Sequence, residues 1–171
     1  MTERKGITSS GETPLTLVGP ELKIGDKAPD FTLTSNDMQP VTLKDLAGKT
    51  IILLGVPSLD TPICDLETRR FNKEAADLSD EIRVVTVSMD LPFAQKRWCA
   101  AAGIDRVQTL SDYRSAAFAE SYGILIKELH LLARSAFVVD KNGVIRYTEI
   151  TRNVKDEPNY SKIIEAAKAA L

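Results

Sequence analysis

The stretch Ile51-Ile52-Leu53-Leu54-Gly55-Val56-Pro57-Ser58-Leu59-Asp60-Thr61-Pro62-Ile63-Cys64 decides the fold. Its first half is a continuous apolar run, the pattern of a central strand covered on both faces. Its second half is turn chemistry. The segment behind it, Asp65-Leu66-Glu67-Thr68-Arg69-Arg70-Phe71-Asn72-Lys73-Glu74, is helix-forming. Cys64 therefore sits where a buried strand gives way to the first turn of a helix predicted over 62–78. Unpaired backbone N–H groups at such a terminus carry partial positive charge and favour an anion. A thiol placed there is expected to have a lowered pKa and to be partly thiolate near neutral pH.

Working outward, Ile82-Arg83-Val84-Val85-Thr86-Val87-Ser88 reads as a second β-branched strand. Asp90 is placed to cap a helix that starts at Pro92, carries Cys99 and stops at Gly103. A further helix is predicted over 112–122, closed by Gly123. Residues 136–139 and 144–148 flank Asp140-Lys141-Asn142-Gly143, a strong hairpin signal. Residues 160–171 form an amphipathic helix with Ile163, Ile164, Ala167 and Leu171 on one side. Before the core, residues 15–18 and 21–24 read as a short hairpin about Gly19-Pro20, and residues 31–34 and 40–43 as a second strand pair. Residues 1–13 are polar and expected to be flexible, leaving 14–171 as a single domain. The alternation gives an α/β fold with a mixed sheet.

The totals narrow the function. A chain of 171 residues is long enough to bury a real core in one domain. Its formal charge of −2, from 22 basic and 24 acidic side chains, marks no polyanion partner. No basic stripe with interleaved aromatics points to nucleic acid. The longest apolar run is about six residues, far short of the ~20 that span a bilayer. The first ten residues are charged without an apolar stretch behind them, so no secretory signal and a cytoplasmic setting are expected. Two cysteines, Cys64 and Cys99, and one histidine, His130, are too few for a zinc site of four ligands. Counts alone leave open that both cysteines are inert core residues, since free cysteine is among the most buried residue types.

Pro57, Thr61 and Cys64 stand in the spacing P-x-x-x-T-x-x-C, which resembles the active-site signature of peroxiredoxins. The segments Pro57–Cys64 and Asp90-Leu91-Pro92-Phe93-Ala94-Gln95-Lys96-Arg97-Trp98-Cys99 together resemble the two cysteine segments of one branch, the thiol peroxidases. The likeness runs from about Pro14 to the C-terminus. It implies a thioredoxin-like fold, with a mixed central sheet flanked by helices and an added N-terminal β-hairpin.

The resemblance also implies a chemistry: reduction of hydrogen peroxide or organic hydroperoxides, in antioxidant defence, without cofactor or metal. Cys64 is then the peroxidatic nucleophile, and its sulfenic acid condenses with Cys99, the resolving cysteine, as in atypical two-cysteine peroxiredoxins. Thioredoxin is the implied electron donor, and a homodimer the implied assembly. Thr61, one turn before Cys64, is close enough for its hydroxyl to reach the sulfur or the peroxide, although Thr followed by Pro is also a natural helix start. Pro57 is expected to shield the site, its plainer role being to end a strand. Arg134, in Leu132-Ala133-Arg134-Ser135, stands at the mouth of a buried strand and is expected to supply the cation; otherwise it is a solvated loop arginine. His130 reads as structural. A rival of another class is a redox-responsive binding protein switched by Cys64–Cys99. A general disulfide reductase is disfavoured because no CxxC pair is present.

Overall fold

The computed structural model describes residues 1–171. It begins with β1 (Glu3–Ser10) and β2 (Thr13–Val18), then β3 (Thr32–Thr34), β4 (Pro40–Thr42) and the single turn α1 (Leu43–Leu46). The core follows as β5 (Thr50–Gly55), α2 (Pro62–Ala75), β6 (Ile82–Ser88), α3 (Pro92–Ala102), β7 (Val107–Ser111) and α4 (Ala117–Ser121). The chain closes with β8 (Leu125–Ile126), β9 (Leu131–Leu132), β10 (Ser135–Val139), β11 (Ile145–Ile150) and α5 (Tyr160–Ala169). No helix is long and apolar enough to cross a membrane.

Seven strands make the central sheet, in the order β11-β10-β5-β6-β7-β3-β4. The pairs β5–β6 and β6–β7 are parallel; the others are antiparallel, so the sheet is mixed as expected. Every residue of β5 is buried, because both faces of the sheet are covered. Alternation along the strands splits the core in two. Ile51, Leu53, Val85, Val87 and Phe137 join one cluster with Leu15, Leu17, Phe118 and Tyr122. Ile52, Leu54, Val84 and Val138 join the other with Phe71 of α2 and Tyr160, Ile163 and Ala167 of α5.

Several local expectations are corrected. Residues 3–10, expected to be flexible, form β1 and pair along β2 with a register shift between Lys5 and Thr8. The N-terminal hairpin is therefore β1–β2, and residues 21–24 form no strand. β2 continues through β8 to β9 as a second, four-stranded sheet. Residues 107–111, read from sequence as no element, form β7 inside the central sheet. The helix expected from residue 112 shrinks to α4, because Ala116 sits in the left-handed region at φ 57 and breaks the run. Asp112 is buried, and its carboxylate accepts the N–H groups of Phe118 and Ala119 at 3.3 and 2.8 Å.

One contact locks the hairpin onto the core. Gly123 has φ 67, and a Cβ built there would lie 1.9 Å from the Pro20 carbonyl oxygen. The two backbones cannot part cheaply, because the Arg4 guanidinium donates to the Gly19 carbonyl beside Pro20 and to the Gly123 carbonyl together. Gly123→Ala adds a clash to a strained φ and should cost ~2–4 kcal/mol, read as a lowered denaturation midpoint.

Candidate active site

β5 ends at Gly55, in register with Ser135, the first residue of β10. The approach is close: a Cβ on Gly55 would lie 2.5 Å from Ser135 Oγ and 2.8 Å from Ile124 Cδ1. This pairing delivers two chain segments to one place. The turn of residues 56–61 leaves β5 toward α2, and Arg134 precedes β10.

Thr61 is the N-cap of α2, with Pro62 at its first position. The Thr61 hydroxyl accepts the Cys64 N–H at 3.3 Å and donates to the Ser58 carbonyl at 3.1 Å. Its single proton is thus directed at Ser58 and not at the sulfur. Cys64 is wholly buried, in a small apolar cluster with Val56 and Leu59 against which Trp98 of α3 packs. Pro57 is buried beside this cluster in sequence.

Arg134 is 1% exposed, and every polar edge of its guanidinium is used. Nη2 donates to Cys64 Sγ at 3.2 Å, Nη1 to Glu67 Oε2 at 2.6 Å, and Nε to the Val154 carbonyl at 2.9 Å. The expected solvated alternative for this arginine does not hold. Burial lowers its pKa, but the Glu67 carboxyl and the Cys64 sulfur outweigh that and raise it. The cation is therefore fixed against the sulfur.

Glu67 escaped the sequence reading as a site residue. Cys64 and Glu67 are three residues apart on one helix, so they share a face, and that spacing was the available signal. Glu67 is fully buried and its Oε1 has no partner. Burial raises its carboxyl from 4.5 to about 7; Arg134 opposes this, while Glu149 and Glu157 add to it. The folded chain therefore holds a proton that the unfolded chain releases across this window. Stability should fall as pH rises from 4.5 to about 7, by ~3 kcal/mol. Glu67→Gln should flatten that part of the curve, as measured by urea midpoints on either side of the window.

Cys99 lies on α3, away from the guanidinium. Its Sγ is 3.3 Å from Thr109 Oγ1, which bonds Asn36 Oδ1 at 3.0 Å. The two cysteines are free thiols. Their helices are joined by Trp98 Nε1 to Asp65 at 3.1 Å and by Arg69 to the Ala102 carbonyl at 3.4 Å. His130 is exposed in the turn between β8 and β9, with φ 54, and takes no part in this cluster. No group of three or more His, Cys, Asp or Glu side chains is placed to hold a metal.

This arrangement presents a buried sulfur, a fixed cation in contact with it, and a helix N-terminus beneath it. The family model for redoxins matches residues 23–164. Thiol peroxidases from Bacillus subtilis and Halalkalibacterium halodurans are 56% and 54% identical to the chain. The alignments cover 92% and 96% of this chain and 94% and 98% of those proteins, respectively. The chain belongs to the redoxin family, in its thiol peroxidase branch. Among solved structures, a peroxiredoxin-like protein from Aquifex aeolicus superposes with a TM-score of 0.88 at 38% identity, over 98% of this chain and 99% of that one. A thiol peroxidase from Chromobacterium violaceum gives 0.85 at 20% identity over 95% of each chain, a likeness that bears on the fold alone. The thioredoxin-like fold expected from the sequence is thus the fold of this redoxin, and the chain is an oxidoreductase of the peroxiredoxin type.

Proposed function

We propose that the chain reduces hydrogen peroxide and organic hydroperoxides through Cys64, with Cys99 as the resolving cysteine and thioredoxin as the reductant. The observation that carries this reading is the contact of the Arg134 guanidinium with Cys64 Sγ at 3.2 Å, between two buried side chains. A guanidinium there stabilises negative charge on the sulfur and, as the O–O bond breaks, on the leaving oxygen.

In the first step the Cys64 thiolate attacks one peroxide oxygen. An S–O bond forms and the O–O bond breaks. Sulfur is oxidised to the sulfenic acid, and the leaving oxygen takes the electron pair and a proton to depart as water or alcohol. Thr61 acts in this step by capping α2 and fixing the Cys64 backbone, and Pro57 by keeping water from the sulfur. In the second step the Cys99 thiol attacks the sulfenic sulfur, releasing water and forming the disulfide. Bridged cysteines need Cα atoms within ~7 Å, so α2, α3 or both must loosen locally to bring two helix-borne thiols together. A thioredoxin dithiol then supplies two electrons to reopen the bond. The protein works in this reading as a cytoplasmic homodimer in antioxidant defence, with no cofactor.

The test is hydroperoxide consumption coupled to a thioredoxin system, which also separates catalysis from the alternative of a redox-switched binding protein. Turnover should require both cysteines. Cys99→Ser should still consume one equivalent of hydroperoxide and then stop, with Cys64 trapped as a sulfenic acid by a dimedone probe. A wild-type protein that oxidises once and is not recycled by thioredoxin would overturn the proposed reductant.

A further inference from the structure

The two cysteine helices leave the central sheet from separate strands, and one carboxylate joins the turns that precede them. Asp90 lies between β6 and α3, where a cap for α3 was expected from the sequence. The N-cap of α3 is instead Leu91, and no side chain caps that helix. The Asp90 carboxylate faces the loop that leads to Cys64. Its Oδ1 accepts from Ser58 Oγ at 2.7 Å, and its Oδ2 from the Leu59 N–H at 2.8 Å and Ser88 Oγ at 2.7 Å.

The anchor behind it is rigid. Ser88 Oγ also accepts from Gln95 Nε2 of α3 at 2.9 Å, and the same Gln95 nitrogen donates to the Leu110 carbonyl at 2.9 Å. Ser111 Oγ donates to the Asp90 backbone carbonyl. Ser88, Gln95 and Ser111 are buried. Hydrogen bonds to a charged acceptor are roughly twice as strong as neutral ones, and three converge here. Leu59, whose N–H Asp90 holds, also belongs to the small apolar cluster around Cys64.

We propose that Asp90 is a positioning residue that clamps the residue 57–60 loop to the start of the Cys99 helix. It thereby favours the arrangement that reacts with peroxide and restrains the loosening that disulfide formation requires. The inference rests on the Cys64–Cys99 cycle proposed above. The clamp has opposite effects on the two steps, which distinguishes it from a group that merely supports the fold.

The experiment is a single-turnover stopped-flow measurement on reduced protein, following Trp98 fluorescence, with wild type, Asp90→Asn, Ser58→Ala and Cys64→Ser. The oxidation phase scales with peroxide concentration and the disulfide phase does not. Asp90→Asn keeps the shape but turns an amide donor toward at least one of the donors it now accepts from. It should slow the peroxide-dependent phase ~10–100-fold and speed the peroxide-independent phase several-fold. Ser58→Ala removes one bond only and should shift both phases with the same signs and smaller size. If Asp90→Asn fails to fold, Ser58→Ala carries the test. Both phases unchanged, both slowed in parallel, or an unaltered disulfide phase would overturn the clamp. A wild type whose signal matches Cys64→Ser would overturn the underlying cycle instead, so the two failures are distinct.

Discussion

Cys64→Ser is expected to lower peroxide turnover by ~10⁴ or more, to the level of unassisted thiol chemistry. Serine in that position is close in size, so the cluster of Val56, Leu59 and Trp98 keeps its packing. The Arg134 Nη2 donor, 3.2 Å from the sulfur, still finds an acceptor in the hydroxyl. What disappears is the nucleophile, since a serine hydroxyl does not ionise under these conditions. Cys99 cannot take over, because its sulfur faces Thr109 and the one buried guanidinium is committed to Cys64, Glu67 and Val154. Hydroperoxide loss under thioredoxin recycling, with circular dichroism to confirm the fold, gives the comparison. Residual turnover within tenfold of wild type would move the nucleophile elsewhere.

Arg134→Ala is expected to slow the peroxide step ~10²–10³-fold, the usual cost of removing one preorganised electrostatic donor. The same change strands Glu67 in the interior without its cation. Breaking a buried pair by removing one partner costs ~3–5 kcal/mol when the remaining group stays charged. Burial already raises the Glu67 carboxyl to about 7, so below that pH protonation offsets part of that cost. The stability loss should therefore be smaller at low pH than at high pH. Adding Glu67→Gln to Arg134→Ala removes the stranded carboxylate. The double variant should regain stability while its peroxide step stays slow. Parallel recovery of stability and rate would mean that Arg134 supports the fold and not the reaction. Arg134→Lys should not restore the rate fully, because one ammonium cannot replace a planar fork that serves sulfur, carboxylate and carbonyl together.

The strand, turn and helix around Cys64 were legible because each is a local signal. The apolar run of residues 51–56 is too short for a buried helix and fits a covered strand, and Thr61-Pro62 starts a helix by its own chemistry. The hairpin before α5 was legible for the same reason. What the sequence hid depends on tertiary placement. The polar residues 3–10 carry no strand pattern of their own and become β1 only by pairing with β2. Val107–Ser111 becomes a strand because β6 on one side and β3 on the other take up its hydrogen bonds.

The site divides along the same line. Arg134 was reached through the family resemblance, and its neighbour Glu67 was not, although the two are 2.6 Å apart. Their contact spans 67 positions and exists because β5 pairs with β10 and carries α2 over the end of that strand. Asp90 shows the opposite failure. An acidic residue two positions before Pro92 looks like a local cap, yet a stronger set of donors lies in Ser88 at the end of its own strand and in Ser58 and Leu59 of the turn after β5.

The most direct test of the Cys64–Cys99 cycle uses Trp98, the only tryptophan, whose indole packs on the Cys64 cluster and bonds Asp65. One equivalent of cumene hydroperoxide is mixed with reduced protein in a stopped-flow instrument, and free thiols are counted afterwards. The account predicts a fast fluorescence change with loss of both thiols, absent in Cys64→Ser and halted at the sulfenic acid in Cys99→Ser. Oxidation no faster than that of free cysteine, or a disulfide forming between chains instead of within one, would contradict it.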